Sequence, residues 1–228
     1  ISILSGLVEE GYDQSKLRIS DPEADQRRRA ENFGVGLFED NNECIKGAEL
    51  ILICVKPQIV KKVCQTLTSS RGQLVISIAA GITTKALSDW LPSQQSIIRC
   101  MPNTPALIRE GITGLYANEY STLEQKENAE QLLGSVGTTL WVTDENKLDV
   151  ITAISGSGPA YFFYLMEQMV IAGIELGITE NEALELTLQT ALGAARLAGR
   201  EQQDTPKLLR EKVTSPGGTT QSALQTFE

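Results

Sequence analysis

A glycine-rich turn with several hydroxyls stands near the end of the chain, at Thr214–Thr220 (TSPGGTT). It lies between two stretches with helical character, 206–213 and 221–227. A glycine-rich turn that opens a helix presents free backbone N–H groups and the positive end of the helix dipole, which suit a carboxylate or a phosphate. A capped turn between two helices is the alternative, but it needs one hydroxyl and this stretch has four, so the pattern favours an anion site.

Three short loops follow three apolar stretches in the first half of the chain. They are Val55–Pro57 (VKP), Ala79–Gly81 (AAG) and Met101–Pro105 (MPNTP). In an open α/β sheet, ligands bind outside the carboxyl ends of the strands. Lys56 suits a phosphate, and the small residues at 79–81 let a flat ring approach the backbone. Each loop alone is compatible with a structural turn, but three in succession favour a cofactor cleft.

A second group of polar residues follows an earlier predicted strand. Ser20 and Asp21 stand at its end, and three arginines follow at 27–29. Serine with nearby arginine suits the 2′-phosphate of NADP, whereas Asp21 suits the ribose hydroxyl of NAD. The arginine run is also typical of a solvated helix face. The residues therefore leave the choice between the two cofactors open.

The stretch Ser155–Tyr161 (SGSGPAY) places two glycines and one proline inside an otherwise helical pattern. Each glycine costs a helix about 1 kcal/mol relative to alanine, so its presence needs a reason. Close packing of the helix against another element is one reason, and direct contact with a ligand is the other.

The absence of histidine from the 228 residues excludes several mechanisms. Ser-His-Asp and Cys-His nucleophiles and HExxH zinc sites all need an imidazole. The four cysteines lie far apart without a CxxC motif, which indicates reduced thiols of a cytosolic protein rather than disulfides. No metal site is predicted.

The charge balance excludes two classes of partner. Lysine and arginine number 20 against 29 acidic residues, for a net charge of −9, so we expect binding neither to nucleic acid nor to an anionic membrane. No apolar run reaches the length of roughly 18 residues that a membrane span needs, and no signal peptide is recognisable. We therefore expect a cytoplasmic protein.

Short β-branched segments alternate with polar helical stretches up to about residue 143. Strands are predicted at Lys16–Ser20, Leu50–Val55, Gln73–Ala79, Ser96–Met101, Thr113–Ala117 and Thr138–Val142. Two of them are almost continuously apolar, as is typical of strands covered on both faces. The pattern predicts a doubly wound, mainly parallel sheet.

The chain is predicted to be entirely helical from about Asp144 onward. The runs 160–174 and 183–198 are apolar around much of the helix circumference. A segment of this size cannot cover all those faces within itself. We therefore expect another subunit to complete it.

The first residues, Ile1–Gly11, have the pattern of an amphipathic helix that lacks both its cap and a preceding strand. A dinucleotide fingerprint, GxGxxG, would stand immediately before such a helix. We expect that further residues precede Ile1 and carry it, and that the final helix continues beyond Glu228.

These motifs, in this order and spacing, resemble the pyrroline-5-carboxylate reductase family. The resemblance rests on VKP, AAG, MPNTP, SGSGPAY and TSPGGTT and extends over essentially the whole chain. It implies a Rossmann-like α/β domain at 1–144 and an all-α dimerisation and substrate-binding domain at 145–228. It also implies reduction of 1-pyrroline-5-carboxylate to L-proline, the last step of proline biosynthesis, by NADPH or NADH. The implied assembly is an intertwined homodimer, often built into a decamer.

The resemblance also assigns site residues. The cofactor-binding positions are Ser20, Asn41, Val55, Lys56, Pro57, Ala80 and Asn103. The substrate-binding positions are Glu145, Ser215, Gly217, Gly218, Thr219 and Thr220. Thr220 is the expected catalytic residue, because its hydroxyl would hydrogen-bond the ring nitrogen of the substrate.

The implied reaction agrees with the lack of histidine. A protonated cyclic imine is electrophilic, so hydride transfer depends mainly on positioning. Two alternatives stay open: a related reductase that acts on another cyclic imino acid or on a β-hydroxy acid, and an idle NADP-binding homologue. The MPNTP and TSPGGTT loops argue against the idle homologue, because a protein that only binds NADP needs no carboxylate site.

Overall fold

The computed structural model describes residues 1–200 and 204–227. Contacts between Cα atoms divide the chain into two compact units, Ile1–Pro159 and Ala160–Glu228. The first unit contains all of the strands found in the described residues, and the second is helical.

The first unit alternates strands with helices. Its strands are β1 (Arg18–Ser20), β2 (Gly36–Phe38), β3 (Leu50–Ile53), β4 (Leu74–Ser77), β5 (Ser96–Met101), β6 (Gly111–Ala117) and β7 (Gly137–Trp141). Its helices are α1 (Ser2–Glu9), α2 (Ala24–Arg28), α3 (Asn41–Ile45), α4 (Pro57–Thr66), α5 (Thr84–Trp90), α6 (Leu123–Gly134) and α7 (Lys147–Ile151). The alternation is that of a doubly wound α/β domain, as predicted.

The strands pair into two sheets. β1 and β2 form a parallel pair, and the other five strands form one sheet in the order β3-β4-β5-β6-β7. Only the β5–β6 pairing in this sheet is antiparallel. The prediction of a mainly parallel sheet is therefore confirmed.

Burial of the strand residues depends on how fully helices cover the two faces of the sheet. β4 is buried at all four positions, whereas β3 alternates between buried and half-buried residues. One core cluster packs α4 and α5 against the sheet around Val60, Val75 and Leu87, and a second packs α6 against it around Ile76 and Leu133.

Local signals explain where several helices begin. Thr122 and Gln125 form a capping box at the start of α6, in which each side chain bonds the other residue's backbone N–H. Asp40 accepts hydrogen bonds from two backbone N–H groups at the start of α3. α4 begins with Pro57, whose fixed φ suits the first helical position.

The SGSGPAY stretch begins in a short π-helical turn, Thr152–Gly156, between α7 and α8 (Gly158–Glu175). A Cβ atom on Gly156 would lie 2.5 Å from Cε of Met101, the last residue of β5. The tip of the Met101 side chain therefore occupies the space beside Gly156, which is consistent with the packing explanation for this glycine.

The second unit consists of most of α8, then α9 (Glu180–Arg200), α10 (Pro206–Lys212) and α11 (Thr219–Phe227). Few of its described side chains are buried; Ala183 and Thr187 on α9 are 2% and 3% exposed. By contrast, Phe162 and Phe163 on α8 are 65% and 62% exposed. Such apolar surface is costly in water, so these helices need further cover.

The structure differs from the predicted elements in three places. β2 has three residues and was not predicted, because so short a segment carries almost no alternation. The predicted strand at 16–20 contains only Arg18–Ser20. The compact units divide after Pro159, later than the predicted domain boundary at 144/145. The segment after residue 144 belongs to the first compact unit because Leu148 is fully buried there. The domain boundary at 144/145 stays a prediction. No helix among the described residues is long and apolar enough to cross a membrane.

Candidate functional site

The three predicted loops lie at one edge of the sheet. β3, β4 and β5 are consecutive and parallel, so their carboxyl ends meet there. The loop after β3 holds Val55, Lys56 and Pro57, of which only Lys56 is exposed. Lys56 is the N-cap residue of α4, so its side chain leaves the backbone at the carboxyl end of β3, beside a helix N-terminus.

The loop after β4 provides open space beside the backbone. Ala79 is buried, but Ala80 and Gly81 are exposed. Gly81 has φ +75°, and a Cβ built on it would have no heavy atom within 4 Å. A flat ring can therefore approach the backbone here, as the small residues predicted.

The loop after β5 is held in place by its asparagine. Asn103 is half-buried, and its Oδ1 accepts a hydrogen bond of 2.9 Å from the backbone N–H of Ile112 on β6. Its neighbour Thr104 opens a 3₁₀ turn that contains Pro105. Burial raises the pKa of the Cys100 thiol on β5, so this strand adds no thiolate at neutral pH.

Ser20 and Asn41 meet although 21 positions separate them. The Ser20 hydroxyl donates a hydrogen bond of 2.7 Å to Oδ1 of Asn41, at the end of β1 and the start of α3. The Asp21 carboxylate accepts a hydrogen bond of 2.9 Å from the backbone N–H of Glu23, in the turn before α2. Arg27 donates to the backbone oxygen of Asp21 at 2.5 Å and lies 3.7 Å from the carboxylate of Glu39.

Both oxygens of the Glu145 carboxylate have partners. Oε1 accepts hydrogen bonds from the backbone N–H of Thr84, at 2.7 Å, and from Arg99, at 3.2 Å. Oε2 accepts one of 2.8 Å from the Thr84 hydroxyl. The predicted contact between Glu145 and the substrate stays a prediction, and in this structure the carboxylate binds protein groups.

The TSPGGTT loop belongs to the second unit. Gly217 has φ +72°, and its N–H donates a hydrogen bond of 2.6 Å to the Gln221 side chain. The N–H of Gly218 bonds the oxygen of Ser215 at 3.0 Å, which closes the turn before α11. Thr219 and Thr220 are the first two residues of that helix, and both are exposed.

This geometry leaves polar groups available at the start of α11. Within the described parts of the chain, no group hydrogen-bonds the hydroxyls of Thr219 and Thr220. The first N–H groups of a helix have no partner inside the helix and attract anions. The loop is therefore suited to a carboxylate and a second polar atom beside it.

The first unit has the features that a dinucleotide requires. The open backbone at Gly81 admits a ring, and the Ser20–Asn41 pair offers polar groups at the end of β1. The residues present fit a nicotinamide dinucleotide.

Comparison with known proteins supports this interpretation. Residues 145–228 match the family model described as pyrroline-5-carboxylate reductase dimerisation, and residues 1–81 match one described as NADP oxidoreductase, coenzyme F420-dependent. The pyrroline-5-carboxylate reductase of Pseudomonas aeruginosa is 47% identical over 230 residues, which cover 100% of this chain and 84% of that protein.

The chain belongs to the pyrroline-5-carboxylate reductase family. The structure of a reductase of this name from Coxiella burnetii has a TM-score of 0.90 and 40% identity, covering 99% of this chain and 85% of that one. A pyrroline carboxylate reductase from Plasmodium falciparum, solved with NADP bound, has a TM-score of 0.87 at 27% identity and covers 99% of this chain and 84% of that one. The predicted family and fold class are confirmed.

Two residues that bind the Glu145 carboxylate were not predicted from the sequence. Arg99 and Thr84 bind Glu145, but neither belongs to a recognised motif. The available signal was the position of Arg99, a single charge within the apolar run Ser96–Met101. A charged residue at a buried strand position requires a partner, so the pattern predicts an ion pair without identifying the partner.

Proposed function

We propose that this chain reduces 1-pyrroline-5-carboxylate to L-proline, the last step of proline biosynthesis, with NADPH as the preferred hydride donor. The observation that carries the reaction is the 47% identity to the P. aeruginosa reductase across the full length of the chain. The loops at the carboxyl ends of β3 to β5 and the uncapped start of α11 support it.

The residues of this chain contribute mainly by binding and orientation. The helix start at Thr219 and Thr220 holds the substrate carboxylate, together with Ser215, Gly217 and Gly218. The Thr220 hydroxyl hydrogen-bonds the ring nitrogen. The bound nicotinamide supplies the hydride. A protonated imine needs no strong acid to accept it, so a site without histidine suffices.

The preference for NADPH is supported by the groups at the end of β1. Enzymes that use NAD often place a free carboxylate there to bind the ribose hydroxyls. In this chain the strand ends in Ser20, and the neighbouring Asp21 carboxylate is bonded within its own turn. The amide N–H groups of Asn41 are suited to a 2′-phosphate, and the hydroxyl of Ser20 can turn from Asn41 Oδ1 to donate to the same phosphate.

We expect Ser20→Asp to lower kcat/KM for NADPH by at least about tenfold, because it places a carboxylate where the 2′-phosphate binds. The value for NADH should change less, since NADH lacks that phosphate. Steady-state kinetics with both cofactors measure the ratio of kcat/KM for NADPH to kcat/KM for NADH. Ser93→Asp is the matched control, because Ser93 is exposed in the turn before β5, at the amino end of that strand, away from the loops at the carboxyl ends. An unchanged ratio in Ser20→Asp would remove Ser20 from the cofactor site.

The proposal also includes the assembly and the location of the protein. The chain forms a homodimer that assembles further into a decamer, and it is cytoplasmic. The match of residues 145–228 to a dimerisation model supports the dimer. The exposed aromatic residues of α8 also support it, since a second copy would remove them from water.

The experiment that tests the function is oxidation of NADPH by the full chain in the presence of 1-pyrroline-5-carboxylate, with NADH in parallel. We expect substrate-dependent turnover and a higher kcat/KM with NADPH. Tight binding of NADPH without turnover would instead favour the idle homologue. Turnover restricted to another cyclic imino acid would assign a different substrate.

A further inference from the structure

An arginine is buried within the central sheet. The Arg99 side chain is 5% exposed, and its strand β5 lies between β4 and β6. Its guanidinium lies 3.2 Å from Glu145 and 3.2 Å from Asp149. Burial of a charge is expensive unless it is paired and hydrogen-bonded. Glu145 is the stronger partner, because its side chain is 19% exposed against 73% for Asp149, so water screens its interaction with Arg99 less.

The same Glu145 carboxylate also holds the start of a helix. Thr84 is the first residue of α5 and is 7% exposed. Its N–H and its hydroxyl both donate to Glu145. A carboxylate at a helix N-terminus is favourable, and hydrogen bonds to a charged acceptor are stronger than those to a neutral one.

These contacts join three segments that border the proposed cofactor site. Thr84 follows the exposed loop at Ala80 and Gly81 by three residues. Arg99 precedes Met101, the first residue of the MPNTP loop, by two. Glu145 opens the segment that leads through α7 to the π-helical turn. None of these three residues belongs to the loops themselves, so each affects the loops through the segments that it holds.

The close approach at Gly156 adds a second connection between two of these segments. The side chain of Met101, at the end of β5, places its Cε 2.5 Å from where a Cβ on Gly156 would lie, so it fills the space beside the π-helical turn. A shift of β5 relative to residues 145–156 would therefore change the packing at the beginning of the MPNTP loop. Such packed contacts transmit small displacements because protein interiors are dense.

We propose that Glu145 and Arg99 are positioning residues, which fix the loops after β4 and β5 relative to residues 145–156 and so place the nicotinamide ring. The inference rests on the proposed function and gives Glu145 a role other than direct substrate binding. Glu145 acts through the N-terminus of α5, and Arg99 acts through β5.

The first test needs neither substrate nor cofactor. Hydrogen exchange of the full chain is compared with that of Glu145→Gln, which keeps the shape of the side chain and removes its charge. We expect at least tenfold faster exchange at residues 79–86 and 145–156, and unchanged exchange in β1 and α3. Asp149→Asn is the matched control, because its exposed carboxylate contacts the same arginine. Unchanged exchange in Glu145→Gln, or an increase spread over the whole chain, would overturn the proposal.

The second test separates positioning from a purely structural contact. Thr84→Val removes the hydroxyl bond with little change of shape, and Thr84→Ser keeps it. We expect Thr84→Val to lower kcat by about tenfold with the KM values nearly unchanged, and Thr84→Ser to restore most of it, because small misplacements of reacting groups are costly. Wild-type kcat in Thr84→Val would overturn the proposal. If the unmodified chain has no turnover, the proposed function fails, and the exchange experiment still decides the positioning role.

Discussion

Thr220→Ala is expected to lower kcat/KM for 1-pyrroline-5-carboxylate by about 100-fold, the typical cost of losing a hydrogen bond that stabilises charge in a reacting group. Thr220 is the second residue of α11, and its exposed hydroxyl has no partner in the described part of the chain. Loss of this hydroxyl should therefore weaken the interaction with the substrate and leave the stability of the fold unchanged. Steady-state kinetics and a thermal unfolding curve test both parts of this expectation.

Two further variants make the Thr220 result specific. Thr226→Ala makes the same change near the other end of α11, where the side chain is also exposed, and should keep wild-type kinetics. Thr220→Ser retains the hydroxyl and should recover most of the activity. A Thr220→Ala variant within twofold of the wild type would show that another group contacts the ring nitrogen.

Gly137→Ala is expected to destabilise the first unit by about 3 kcal/mol or more, enough to prevent folding in many domains of this size. A Cβ atom on Gly137 would lie 2.0 Å from the backbone oxygen of Gly111. Gly137 also has φ +146°, a region that essentially only glycine occupies. These two residues pair at the start of the β6–β7 ladder, so relief of the clash would break the register.

The control for this prediction is Gly134→Ala, three residues earlier at the end of α6. A Cβ there would have no heavy atom within 4 Å, and helix propensity predicts a change within about 1 kcal/mol, in the stabilising direction. Urea unfolding of both variants gives the comparison. Similar urea midpoints for Gly137→Ala and the wild type would mean that β6 and β7 can separate at this point without loss of stability.

The parts of the fold and site that the sequence could predict are those that depend on neighbouring residues. The apolar runs of β4 and β5 predicted strands, and chain order placed the loops after β3, β4 and β5 at one edge, because consecutive parallel strands end together. β2 was missed because three residues do not establish a period. The family and its reaction were predicted from the motifs that follow these strands and open α11.

The contacts that could not be predicted join residues far apart in the sequence. Glu145 lies 61 positions from Thr84 and 46 from Arg99, so no local pattern connects them. The motif comparison placed Glu145 in the site without indicating its partners. Ser20 and Asn41 were predicted individually, and only the structure shows that they bond each other.

The division of the chain after Pro159 bears on how such an enzyme can diversify. The proposed determinants of the cofactor, Ser20 and Asn41, belong to one compact unit, and those of the substrate, around Thr220, belong to the other. Substitutions at sites that share no contacting residues usually have nearly additive effects. Cofactor choice and substrate choice can therefore be altered in separate steps, and a lineage or a designer can change either one without first rebuilding the other.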